Sequence, residues 1–202
     1  MKKGILIAAV VLLVAVGAAM ISRSFSQQAA SAGFEPSKAS AESLRNKIDA
    51  VQRASADAGE RRREQVEVSE AELESYVLVF LRKEMPVQLD SMDVQLTTGA
   101  VAGDAQITFN SSPTGNPMID ALAGGTHNVF VKGKLAGANS EGRFELEEVR
   151  VDGIPVPKVL IETLFEKYVK PRYPEADMKA PFELPWGIQE LTIEPGKARI
   201  VY

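Results

Sequence analysis

The chain has 202 residues, 45% apolar and 25% charged, with 15 Gly, 11 Pro and no Cys. These fractions suit one globular domain with appendages and exclude wholesale disorder and collagen-like order. Zero cysteine excludes disulfides, thiolate metal sites, Cys nucleophiles and cysteine-linked lipids, and one histidine, His127, excludes multi-histidine metal centres.

The net charge of −4 is unevenly distributed. Residues 1–23 carry Lys2, Lys3 and Arg23 and no acid, residues 24–67 balance seven bases with seven acids, and residues 68–202 hold 13 bases against 20 acids. A body of net charge −7 is poorly suited to a phosphate backbone, so no nucleic-acid partner is expected.

From Gly4 to Ser22 no residue is charged. Nineteen residues make a helix of roughly 28 Å, close to the ~30 Å hydrocarbon core of a bilayer. Residues 1–23 are expected to form a signal-anchor or transmembrane helix that meets the membrane through residues 4–22. Two lysines before the run against Arg23 after it keep the N-terminus in the cytoplasm. The expected location is the inner (cytoplasmic) membrane, single-pass, with the C-terminal domain outside the cytoplasm. A cleaved signal peptide is the rival reading, with Ala30-Ser31-Ala32 as an A-x-A-like site. Both readings export the rest of the chain.

Residues 24–67 read as a linker, rich in Ser, Ala and Gln as far as Lys38. A short helix over 40–56 is expected, with Leu44, Ile48 and Val51 at i, i+4 and i+7. Three uses of that stripe stay open: lying on the globular domain, pairing with another copy, or standing alone as a marginal helix. Arg61-Arg62-Arg63 reads either as attraction to anionic headgroups or as a solvated run balanced by Glu60 and Glu64.

The globular domain is expected over 68–202. Ser69 and Glu72 have capping-box spacing, with Val68 and Leu73 as a hydrophobic staple. The helix they start is expected over 70–83, burying Leu73, Val77, Phe80 and Leu81. Alternation then predicts a hairpin of 92–96 with 101–109, turning at Gly99, and a loop leading to a short helix at 118–122. Strands at 129–135 and 143–151 follow. Phe144 and Leu146 share one parity and Val149 and Val151 the other, which requires a bulge near Glu147-Glu148. A helix with Pro157 near its first turn is expected to bury Val159, Leu160, Thr163, Leu164, Tyr168 and Phe165. An extended stretch from Phe182 and a hairpin of 188–193 with 198–202 close the chain. The fold class is therefore α+β: a mainly antiparallel sheet of about six strands packed against two principal helices.

Three stretches together carry a resemblance: Val68-Ser69-Glu70-Ala71-Glu72-Leu73-Glu74-Ser75-Tyr76, Gly153-Ile154-Pro155-Val156-Pro157 and Phe182-Glu183-Leu184-Pro185-Trp186-Gly187-Ile188. They resemble uncharacterised single-anchor bacterial envelope proteins. More distantly, the pattern is similar to small domains of the tubular lipid-binding, BPI-like superfamily. That resemblance implies a curved antiparallel sheet around a helix, with lipid in an apolar groove, and assigns no binding residue.

The catalytic inventory is sparse. His127 with Ser111 or Ser112 and Asp120 lacks a nucleophile-elbow pattern and reads equally well as a turn entering a strand. Glu145, Glu147, Glu148 and Asp152 lack calcium-loop spacing. No phosphate-binding glycine pattern occurs, and close packing accounts for strand glycines such as Gly103 and Gly133. No catalytic, metal or cofactor residue is therefore expected, and no cofactor. The expectation is a non-enzymatic, membrane-anchored extracytoplasmic domain that binds lipid or another apolar ligand. The alternative is an interaction or scaffold module of a cell-envelope assembly, and a hydrolase built on His127 is a minor third. Apolar strand faces line a lipid groove in the first reading and an ordinary core in the second.

Overall fold

The computed structural model describes residues 36–56, 63–85, 88–109, 125–166, 170, 171, 174 and 177–202. The expected membrane segment 4–22, Arg61, Arg62 and the short helix at 118–122 lie outside these residues. Among the described residues no helix is long and apolar enough to cross a membrane.

The fold is α+β, and every strand pairing is antiparallel. In chain order the elements are α1 (Lys38–Ala56), β1 (Gln65–Ser69), α2 (Glu70–Tyr76), β2 (Gln88–Thr97), β3 (Ala100–Phe109), β4 (Gly125–Ala138), β5 (Glu141–Val151), β6 (Ile154–Pro155), α3 (Lys158–Leu164), β7 (Phe182–Glu183), β8 (Glu190–Glu194) and β9 (Lys197–Val201). One sheet of nine strands has the order β1-β9-β8-β4-β3-β2, with β5 on β4 and the two-residue strands β6 and β7 on β5. The strands beyond the expected six are β1, β6 and β7. Two residues carry no periodicity, and β1 finds its partner, β9, only at the far end of the chain.

The β4–β5 register passes from Lys132↔Glu148 to Gly133↔Leu146, so Glu147 is the extra residue of a bulge. Its carboxylate turns outward, 3.3 Å from Lys132 Nζ and 3.1 Å from Lys134 Nζ. Leu146, Val149 and Val151 are consequently all buried despite their mixed parity.

The stretch read as linker contributes two ordered elements. Helix α1 buries Ala41, Leu44 and Val51. Leu44 packs with Val68, Val94, Leu96, Ile193 and Ala198, and Val51 with Leu184 and Ile188. Of the three uses of the Leu44–Val51 stripe, the structure has the first.

The first expected helix in the domain is α-helical over only part of its apolar stripe. The capping box forms, with Glu72 N–H donating to Ser69 Oγ at 3.2 Å and Ser69 N–H donating to Glu72 Oε2 at 2.9 Å. The α-helix then ends at Tyr76, and Val77–Leu81 form a π turn followed by a 3-10 turn over Arg82–Glu84. The wider turn brings both Val77 and Leu78 into the core. In α3 the expected stripe is rotated. Val159 is 73% exposed and Thr163 is exposed, whereas Ile161 and Phe165 are buried. Pro157 is the N-cap and not the first helical residue, so the face that meets the sheet carries 161 and 165, one turn apart.

Candidate functional site

The largest buried cluster lies under the π turn and α3. Val77, Leu78, Leu89, Ala105, Ile107, Val129, Leu146, Val149, Val151, Val156 and Ile161 form it. At the β4–β5 end this interior is filled. A Cβ added at Gly133 would lie 2.6 Å from the Phe144 ring and 2.7 Å from Glu145 O. Gly133 there receives the ring of a cross-strand neighbour, as close packing requires. Elsewhere the cluster has a half-buried border of Leu81, Met85, Met92, Leu160 and Met178, drawn from four separate segments. Methionine is the most adaptable apolar side chain, and three of these five are methionine. Sequence periodicity did not single out Met85 or Met178, because both sit outside regular elements; Ile161, four residues before Phe165, was readable and was missed.

His127 faces the same interior from β4 and is 6% exposed. Its Nδ1 lies 2.8 Å from Asp152 Oδ2 at the β5–β6 turn. Asp152 Oδ1 accepts the Asn128 N–H at 2.9 Å, and the Asp152 N–H donates to Asn128 O at 2.8 Å. His127 is therefore built into a turn lock. Ser111, Ser112 and Asp120, the partners weighed for it in a hydrolase reading, lie outside the described residues.

The acidic candidates do not converge. Glu147 pairs with Lys132 and Lys134, Glu148 with Arg150 at 3.5 Å, and Asp152 with His127. Among the described residues no group of three or more His, Asp or Glu is arranged to hold a metal ion.

An open concavity of about 650 Å³ lies between α1, β1 and the start of α2. Ser40, Ser43 and Lys47 of α1, Glu67 and Ser69 of β1, Glu72 and Lys197 line it. Its charges are already matched: Lys47 Nζ lies 2.6 Å from Glu72 Oε1, and Lys197 Nζ 2.7 Å from Glu67 Oε1. Burial pulls the Glu72 carboxyl upward, but bonds from Lys47, Ser43 and the Ser69 N–H outweigh it and hold the pKa below the ordinary glutamate value. This cleft is a brace between α1, α2 and the sheet. The apolar cluster with its adaptable, half-buried border is a packed core and not a cleft, and the border is where its apolar surface comes nearest to solvent.

No protein-family model matches the chain, and no curated protein matches it.

Proposed function

We propose that the chain is a non-enzymatic, membrane-anchored extracytoplasmic domain whose sheet–helix body binds lipid or another apolar ligand. The observation that carries this reading is the half-buried border of Leu81, Met85, Met92, Leu160 and Met178 around the main buried cluster. An apolar chain entering there displaces only soft side chains and leaves the filled β4–β5 end untouched. The uncharged run 4–22 supports membrane attachment, and Lys2 and Lys3 before it against Arg23 after it favour a body outside the cytoplasm. The scaffold alternative drew on the Leu44–Val51 stripe, which is occupied within the body of the same chain.

Native mass spectrometry of the full chain, released from detergent, tests the reading. The expected result is an apolar molecule retained by the parent chain and lost from a Leu160→Asp, Met178→Asp variant of unchanged circular dichroism. A parent chain that retains nothing, or equal retention by the variant, overturns it.

A further inference from the structure

Strand β2 ends the main path of the sheet; the β8–β9 turn reaches its outer edge once, with the Gly196 N–H donating to Leu96 O at 2.9 Å, and side chains of α2 take two of its N–H groups. Glu74 Oε1 of α2 accepts the Val94 N–H at 2.6 Å, and Glu70 Oε1 accepts the Leu96 N–H at 2.6 Å. The spacing is physically matched. Four helical residues advance about 6 Å and two strand residues about 6.7 Å, so carboxylates at i and i+4 meet alternate edge N–H groups.

The two glutamates differ in surroundings. Glu70 is half-buried, while Glu74 is 4% exposed. The charged groups that face Glu74 are Asp93 on β2 and Glu70 on its own helix, both acidic. The neighbouring elements bring it no cation. On α1, Lys47 is held by Glu72 and Arg45 lies over the Phe80 ring at 5.3 Å from its centre. On β1, Glu67 is paired with Lys197. The π turn Val77–Leu81 has no charged residue. Burial, against the opposing Val94 N–H bond and with Asp93 and Glu70 adding to it, raises the Glu74 pKa above the ordinary glutamate value.

We propose that Glu74 is a proton-operated latch on the seam between α2 and β2, closed while its carboxyl is protonated and loosened once it ionises beside Asp93 and Glu70. The sign follows from linkage. A carboxyl whose pKa is raised by folding stabilises the closed form below the ordinary glutamate range, and that contribution is lost as pH rises through its folded value. Opening frees the Val94 N–H of an edge strand, while Leu96 stays held by Glu70 and Gly196. Extracytoplasmic acidification therefore tightens the seam.

Hydrogen exchange of the full chain in detergent, corrected for intrinsic rates, is read on peptides from β2 and, as reference, β4. At pH 5 the β2 protection is expected to be at least threefold higher than at pH 7.5, with β4 unchanged. Glu74→Gln keeps the acceptor without the charge and abolishes the difference, whereas Glu70→Gln retains it. Asp93→Asn removes an acidic neighbour and moves the transition to lower pH. Protection of β2 that is the same at both pH values, a difference that survives Glu74→Gln, or a transition unmoved by Asp93→Asn overturns the proposal.

Discussion

Lys47 Nζ of α1 lies 2.6 Å from Glu72 Oε1, and the same glutamate closes the capping box of α2 on Ser69. Ser43 donates to Glu72 Oε1 as well, at 2.5 Å. One carboxylate thus ties the first helix to the start of the second, where the sheet begins.

Replacing Glu72 with Ala removes the N3 half of the capping box and the carboxylate partner of Lys47, which keeps its bond to Glu67 O, so the expected loss is about 1–2 kcal/mol. Urea unfolding followed by circular dichroism measures it. The folded-state pKa of Glu72 is lowered, so its contribution is present above the ordinary glutamate range and lost as pH falls through the folded value. Thermal melts on either side of that range should show the parent losing stability on acidification and the Ala variant losing less.

The glycines of β3 and β4 should respond in opposite ways to alanine. At Gly133 an added Cβ meets the Phe144 ring at 2.6 Å and the Glu145 carbonyl at 2.7 Å, and backbone cannot give way cheaply. Gly133→Ala is expected to cost about 1–3 kcal/mol. At Gly103 the nearest atom is Asp93 O at 3.8 Å, ordinary contact, and a strand glycine gains from a side chain. Gly103→Ala should be neutral or stabilising by up to about 1 kcal/mol. Paired unfolding curves that show equal effects would refute the packing at Gly133.

Local patterns in the chain anticipated these features unevenly. The capping box at Ser69 and Glu72, the hairpin at Gly99 and the bulge at Glu147 follow from spacing within a few residues, and each is found. What local spacing does not encode is which distant element a residue meets. Glu70 and Glu74 carry no pattern that points to a partner, yet they bond the edge of β2. Gln65–Ser69 joined the sheet only because β9 lies beside it. For α3 the difference is one of phase: the cap falls one residue later than expected, at Pro157, and Val159 is exposed while Ile161 is buried. The apolar border at Met85 and Met178 was illegible because irregular backbone has no period to read.

The turn after β5 supplies another test. Asp152 has φ +49°, a conformation that L residues other than Asn and Asp adopt at a cost. Its carboxylate also holds His127 and the Asn128 N–H. Asp152→Ala is expected to lose about 2 kcal/mol from the left-handed backbone and the lost bonds together. Asp152→Asn tolerates the backbone and keeps an acceptor, so it should lose under about 1 kcal/mol. Urea midpoints rank the two, and equal losses would remove the backbone argument.

Trp186 is the single tryptophan, and it reports on helix α1. Its φ of +54° is rare for a bulky side chain, and such a conformation persists only where packing over-determines it. The packing is the buried cluster of Val51 of α1, Leu184 and Ile188, against which the half-buried Trp186 lies. Val51→Asp puts an unpaired carboxylate into that cluster, and the end of α1 should separate from it. Emission from Trp186 is then expected to shift to longer wavelength as water reaches the indole. Gln52→Asp adds the same charge one residue away on the exposed face, and should leave the emission where it was. A red shift shared by both variants would mean that charge alone perturbs the indole; no shift in Val51→Asp would mean that Trp186 does not depend on α1.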